Sequence, residues 1–279
     1  MPTTVLMEEL DAFTYREMIG RGAPVIVPVG AIEQHGPHLP LQTDVLLAKA
    51  MSRRLAEAVD GIVAAPIVYG YKSQQRSGGG NHLAGTTSLD ATTVIAIART
   101  LTLEFARHGA RQVVFLNGHF ENYQFLYEGV EQATTQLSQR GEDVSAILLS
   151  YWDFVDEETI EEIYRGSFPG WDVEHGGVLE TSLMLHLHPE LVHLDRVMDL
   201  PAAELPRYDR LPVRPELTPA SGCLSSAASA SQGAGHLLLE RTSAALAAAI
   251  GPELGAPALA PAPGPSPFTP SLTPDYAPA

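Results

Sequence analysis

Two short stretches carry side chains suited to chemistry. In GAIEQHGPHLPLQTD, residues 30–44, Glu33 and His35 stand two apart and Asp44 follows. In NGHFENYQF, residues 117–125, His119 and Glu121 repeat that spacing in reverse. Residues at i and i+2 of an extended segment point the same way, so each pair can offer one carboxylate and one imidazole to a common point. Hard carboxylates with imidazoles, and no thiolate among them, suit Zn or Mn rather than a cysteine-held structural zinc. Five such side chains hold two ions if one carboxylate bridges them, leaving positions open for water and substrate. A single histidine or glutamate near a strand end is more often a surface residue or a cap. Two inverted pairs, each following an apolar run, shift the balance towards a metal site.

The elements that must position these residues alternate along the chain. PVIVPVG (24–30) is a continuous apolar run expected to form a buried strand. The following segment, 43–60, has Leu47, Met51 and Leu55 at helical spacing. A strand is expected over 61–70. A helix is expected over 90–109, with Asp90 suited to its start and Gly109 to its end. Then come a strand at 112–118, a helix carrying Leu126, Val130, Ala133 and Leu137 on one side, and a strand at 144–152. Strand and helix in alternation predict an α/β fold, a three-layer α/β/α sandwich with a mostly parallel sheet. In such sheets ligands gather at the carboxyl ends of the strands, where both candidate pairs fall. Residues 201–222 read as an irregular connection before a last Ala/Leu-rich helix near 233–250. The expected organisation is one domain over residues 1–250. Nine of the 22 prolines lie beyond Gly251, a composition with few side chains to pack, so 251–279 are expected to be a disordered tail.

Bulk composition narrows the function classes. The 33 acidic against 17 basic residues give a net charge of −16, which disfavours nucleic-acid and anionic-membrane partners and leaves a small molecule as the expected one. Cys223 is the one cysteine, so no intrachain disulfide forms and a reducing compartment is the simpler expectation. The first residues lack the basic start and apolar core of a secretory leader, and no stretch approaches the length of a membrane helix. A cytoplasmic location is expected.

Two further stretches stand out. KSQQRSGGGNHLAGTTS (72–88) is glycine-rich without the order of a phosphate cradle, and GWDVEHGG (170–177) sets an indole, two carboxylates and an imidazole between glycines. Together with VGAIEQHGPHLPLQTD, NGHFEN and SYWDF, these stretches resemble the creatininase family of amide hydrolases over roughly residues 20–250. The resemblance implies a cyclic-amide hydrolase interconverting creatinine and creatine through two divalent ions per subunit, Mn and/or Zn. It implies that Glu33, Asp44 and His119 hold one ion and His35, Asp44 and Glu121 the other. Ser77, Phe120, Trp171, Asp172 and His175 would line the substrate pocket, with Trp152 and Trp171 in a lid. His175 would protonate the leaving ring nitrogen, and Glu121 counts among the catalytic side chains as well as the ligands. A homohexamer is likewise implied. The chain departs from the family where Phe120 replaces a tyrosine and where HLAGT replaces Phe-Pro-Gly-Thr. Two alternatives accompany this reading: a family amidohydrolase acting on another cyclic amide or formamide, and a metal-holding assembly protein without catalysis.

Overall fold

A computed structural model describes residues 4–254. After a short helix α1 (Ala12–Gly20), capped by the Asp11 carboxylate, the chain enters β1 (Val25–Val29) and then α2 (Thr43–Val59). Next come β2 (Ile62–Val63), α3 (Ala91–Arg107), β3 (Gln112–Asn117), α4 (Tyr123–Gln139) and β4 (Ser145–Ser150). The chain closes with α5 (Glu157–Tyr164), α6 (Val178–Leu187) and α7 (Gln232–Leu254).

The four strands are parallel, in the order β2-β1-β3-β4. Alternating side chains divide the core between the two faces of the sheet. Ile26, Val114 and Leu116 pack with Leu47, Met51 and Leu55 of α2 and with residues of α6 and α7. Val25, Val27, Val113 and Phe115 pack with Met18 of α1, Val94 and Phe105 of α3, and Leu126 of α4. With helices on both faces, β1 is buried along its whole length, which accounts for its unbroken apolar run.

Strand order decides where the site can lie. From β1 the chain moves outward to β2, and α3 then carries it back across β1 to β3. The connections leaving β1 and β3 therefore diverge, opening a crevice at their carboxyl ends. Two glycines let α2 begin inside that crevice. A Cβ on Gly30 would stand 2.5 Å from the Val45 nitrogen, and one on Gly118 would stand 2.6 Å from the Asp44 carbonyl oxygen. Asp44, in the first turn of α2, is thus set between the ends of the two central strands.

Several elements depart from the periodicity. The strand expected over 61–70 is cut to two residues, because Pro66 has no N–H for the ladder; the chain returns for one bridge, Ile67 to Val29. Gly109 ends α3 in a left-handed turn as expected, with the Ala110 N–H donating to the Phe105 carbonyl. Asp90 precedes that helix but pairs with Lys72 instead of capping. Helix α6, VLETSLMLHL, is buried nearly all round, so it shows no amphipathic stripe. Residues 201–222 take the irregular course expected, with a 3-10 turn at Pro215–Leu217. Helix α7 continues past Gly251 to Leu254, which joins the core, so the packed body extends beyond the boundary read at residue 250. The disorder expected of the tail lies outside the described residues from 255 onward.

Because Gly118 faces backbone atoms of α2 that have no rotamer to yield, Gly118→Ala is expected to lower unfolding free energy by about 1–3 kcal/mol in urea titration. An unchanged midpoint would show that the α2 start is free to shift.

Candidate metal centre and its cleft

Glu33 and His35 come from the loop after β1, Asp44 from α2, and His119 from the end of β3. All four side chains are almost fully buried. The His119 Nδ1 lies 2.8 Å from Glu33 Oε2 and 3.2 Å from Asp44 Oδ2. On the other side of Asp44, Oδ1 lies 2.9 Å from His35 Nε2, and the same nitrogen is 3.4 Å from Glu180 Oε1. Two donor groups result, Glu33/Asp44/His119 and His35/Asp44/Glu180, each with ligand atoms within 4.8 Å of one another, and Asp44 belongs to both. A third grouping joins His175 to Glu33 and His35.

The imidazoles are oriented from behind. His35 Nδ1 is 3.1 Å from the Glu33 carbonyl oxygen, and His119 Nε2 is 3.1 Å from the Tyr71 carbonyl oxygen. A carbonyl only accepts, so each of those nitrogens carries the proton. In the neutral ring the opposite nitrogen presents a lone pair, here aimed at carboxylate oxygens. Acceptor facing acceptor at these distances requires a positive charge among them. Glu33 Oε1 and Asp44 Oδ2 are buried with no hydrogen-bond partner, as expected of oxygens reserved for a cation. Four carboxylates, Glu33, Asp44, Glu121 and Glu180, with neutral imidazoles match the charge of two divalent ions. The donor set therefore fits such a pair.

Without a cation the same field is balanced by protons. Burial pulls the His35 pKa down, but Asp44 and Glu180 outweigh it and hold the imidazole well above its usual value. Burial opposes the charge on His119 too, and Glu33 and Glu121 overcome it. Burial raises Asp44, yet the two histidines bring its carboxyl well below the usual range.

The resemblance implied Glu121 beside His35 and Asp44; in the structure the carboxylate grouped with those two residues is Glu180. Residues Phe120–Asn122 coil into a 3-10 turn, so His119 and Glu121 do not share the direction that an extended segment would give them. Glu121 Oε1 accepts from Ser77 Oγ at 2.6 Å and from the Gln74 N–H at 2.7 Å, while Oε2 lies 3.4 Å from His119 Nε2. Burial raises the Glu121 pKa against the opposing effect of His119. Glu180 escaped notice because it lies in the first turn of an almost wholly buried helix that shows no amphipathic stripe. The sequence signal available was its position just after the Gly-Gly of GWDVEHGG.

Two asparagines also escaped notice. Asn117 Nδ2 donates to the His119 carbonyl at 2.7 Å and its Oδ1 accepts the His119 N–H at 3.2 Å. Asn122 Nδ2 donates to the Gly30 carbonyl at 3.0 Å, and its Oδ1 accepts the Tyr71 N–H at 2.7 Å. Both are fully buried. They tie the ends of β1 and β3 to the loop whose carbonyl orients His119.

Above these donors opens a cavity of about 600 Å³. Glu33, His35, Asp44, His119, Glu121 and Glu180 lie along its wall with Ser77, Phe120, Trp152, Trp171, Asp172 and His175. Every side chain singled out from the sequence thus reaches one cleft. Phe120 is 66% exposed, Trp171 is exposed and Trp152 is half-buried, so the aromatics stand towards the opening. His175 is buried, with Nε2 donating to the Gln34 carbonyl at 2.9 Å and its ring 4.2 Å from that of His35.

Fold and site together define a metal-dependent hydrolase of the α/β/α class. Residues 8–250 match the profile of the creatininase family, described as creatinine amidohydrolase. Creatinine amidohydrolase of Pseudomonas putida is 49% identical over 256 residues, covering 91% of this chain and 98% of that protein. The structure of manganese creatininase superimposes with a TM-score of 0.89 at 48% identity, covering 91% of this chain and all of that one. A mycofactocin precursor peptide peptidase of Mycobacterium ulcerans is 32% identical over 212 residues, 72% of each chain. The chain belongs to the creatininase family.

Glu174 supplies a pH test of this interior. Burial first, and then the charge of Glu180, raises its carboxyl from an ordinary 4.5 to about 7. Between those values the folded protein holds a proton that the unfolded chain has released, so stability falls as pH rises through that window. In chelator-treated protein, chemical unfolding from pH 4.5 to 7 is expected to show the wild type losing stability relative to Glu174→Gln as pH rises. An equal pH dependence in both proteins would show that Glu174 does not hold that proton.

Proposed function

We propose that this protein hydrolyses the cyclic amide of creatinine to give creatine. One observation carries the reading. Two buried donor groups sharing Asp44 lie at the floor of a cleft lined by the GWDVEH and NGHFEN side chains. Support comes from relatives: structures of creatininase in a Zn-Zn form and in complex with creatine share this fold at 47% identity.

In this reading Glu33, Asp44 and His119 would hold one divalent ion, Mn or Zn, and His35, Asp44 and Glu180 the other. A bound pair would supply acidification of a water and polarisation of the amide carbonyl. Glu121, tethered through Oε1 by Ser77 and Gln74, turns Oε2 towards His119 Nε2 at 3.4 Å on the cavity wall and would take the proton of the attacking water. His175, held through Nε2 by Gln34, has Nδ1 left for proton exchange and protonates the ring nitrogen as the C–N bond breaks. The products are then a carboxylate and a guanidino group, with all atoms accounted for. Trp152, Trp171 and Phe120 would offer aromatic surface to a flat heterocycle and exclude water, while Asp172 would offer a carboxylate to its exocyclic nitrogen. Phe120 also keeps a second substrate in view: with no hydroxyl there, another cyclic amide or a formamide fits the same machinery. The family relationship supports a homohexamer, and a cytoplasmic enzyme agrees with the single cysteine. Among the described residues no helix is long and apolar enough to cross a membrane.

The direct test is conversion of creatinine to creatine by purified protein, abolished by a strong chelator and restored by Mn²⁺ or Zn²⁺. Metal-free protein with full activity would overturn the reading. Asp44→Ala is expected to lose both ions and Glu180→Gln one, by elemental analysis. Retention of both ions in Glu180→Gln would return the second position to Glu121.

Replacement of His175 separates its two possible roles. His175→Ala is expected to lower kcat by about 10²-fold or more with metal content unchanged. Loss of metal in step with activity would make His175 a ligand, as its grouping with Glu33 and His35 allows.

A further inference from the structure

The second donor group draws on two parts of the chain. His35 comes from the loop after β1, and Glu180 from the first turn of α6. Their separation depends on how that loop and that helix are held against each other. His38, three residues beyond His35, is fully buried, and its Nε2 shares a hydrogen bond of 2.9 Å with Thr181 Oγ1. Thr181 is the residue next to Glu180 and is also fully buried.

The His38 ring has little freedom to move. A Cβ built on Gly36, whose φ is +83°, would stand 2.9 Å from His38 Nδ1 and 2.1 Å from Cys223 Sγ. The imidazole and the thiol therefore fill the space beside that turn. Cys223 Sγ lies 4.0 Å from His38 Nδ1, and the His38 carbonyl accepts the His193 N–H at 2.9 Å. The ring is thus packed on one side and fixed through its backbone on the other. Neither His38 nor Thr181 is part of the cavity wall, so neither is placed to touch a substrate.

We propose that His38, acting through Thr181, is a positioning residue that sets the span between His35 and Glu180 and thereby the affinity of the second metal position. The proposal rests on the paired-metal reading above. Thr181 adjoins Glu180, which belongs to the second donor group and not to the first, so the brace is expected to act chiefly on that position. Outer partners hydrogen-bonded directly to metal-binding side chains change affinity by about 10–100-fold; this brace acts one bond further out, so the lower end of that range sets the size of the expected effect.

Mn²⁺ titration calorimetry on the chelator-stripped full chain tests this, with melting temperature measured alongside. The wild type is expected to bind two ions. Thr181→Val, which keeps shape and removes the hydroxyl, is expected to bind the first with unchanged affinity and the second at least tenfold more weakly. Thr181→Ser is expected to restore the second position. Should His38→Leu fail to fold, the Thr181 pair carries the test by itself. Equal weakening of both positions alongside a lowered melting temperature would mean a general structural role and overturn the proposal. Unchanged affinity for both ions in Thr181→Val, with two bound in the wild type, would overturn it alone. A wild type that binds one ion or none would overturn the paired-metal reading as well.

Discussion

Burying several carboxylates together is the constraint on which the structure around this site depends. Asp44 has Glu33 on one side and Glu180 on the other, in an interior where like charges interact far more strongly than in water. Such a cluster persists only if positive charge is supplied and if the backbone prevents the carboxylates from turning away. Imidazoles locked from behind by carbonyls meet the first need in part. Strand ends, glycines and asparagines meet the second.

The backbone solution is economical. Gly30 and Gly118 end adjacent strands and admit the first turn of α2 between them, so one helix start delivers the shared carboxylate. A helix N-terminus also carries partial positive charge and favours an acidic side chain in its first turn. Asn117 and Asn122 then fasten both strand ends to each other and to the loop beneath His119. Residues lining the upper part of the cleft are placed differently, on short turns such as Trp171–Val173 and Tyr151–Phe154. Rigid donors below and turn-borne aromatics above divide the cleft into a floor and a rim.

Much of this was legible in the sequence, for definite reasons. The parallel sheet announced itself through apolar runs such as VIVPV and QVVFLN, whose burial on both faces demands them. The two acid–histidine pairs were visible because they follow those runs directly. Glu180 was not, since a helix buried on all sides gives no amphipathic stripe to mark it. The geometry of Glu121 was misjudged because two residues' spacing implies a shared direction only while the chain stays extended, and here it coils immediately after His119. The resemblance to a known family pointed to Ser77, Trp152, Trp171, Asp172 and His175, which the structure places on the cleft wall and which neither periodicity nor charge could have brought together.

The donors are drawn from four separated parts of the chain: the loop after β1, the start of α2, the end of β3 and the start of α6. An unfolded chain cannot hold them at a common point, so an ion bound there stabilises the folded state by the full margin of its preference for it. The centre acts as a cross-link between segments more than a hundred residues apart. In a chain whose one cysteine excludes an intrachain disulfide, a bound ion would serve as the link between distant segments that no covalent bond supplies.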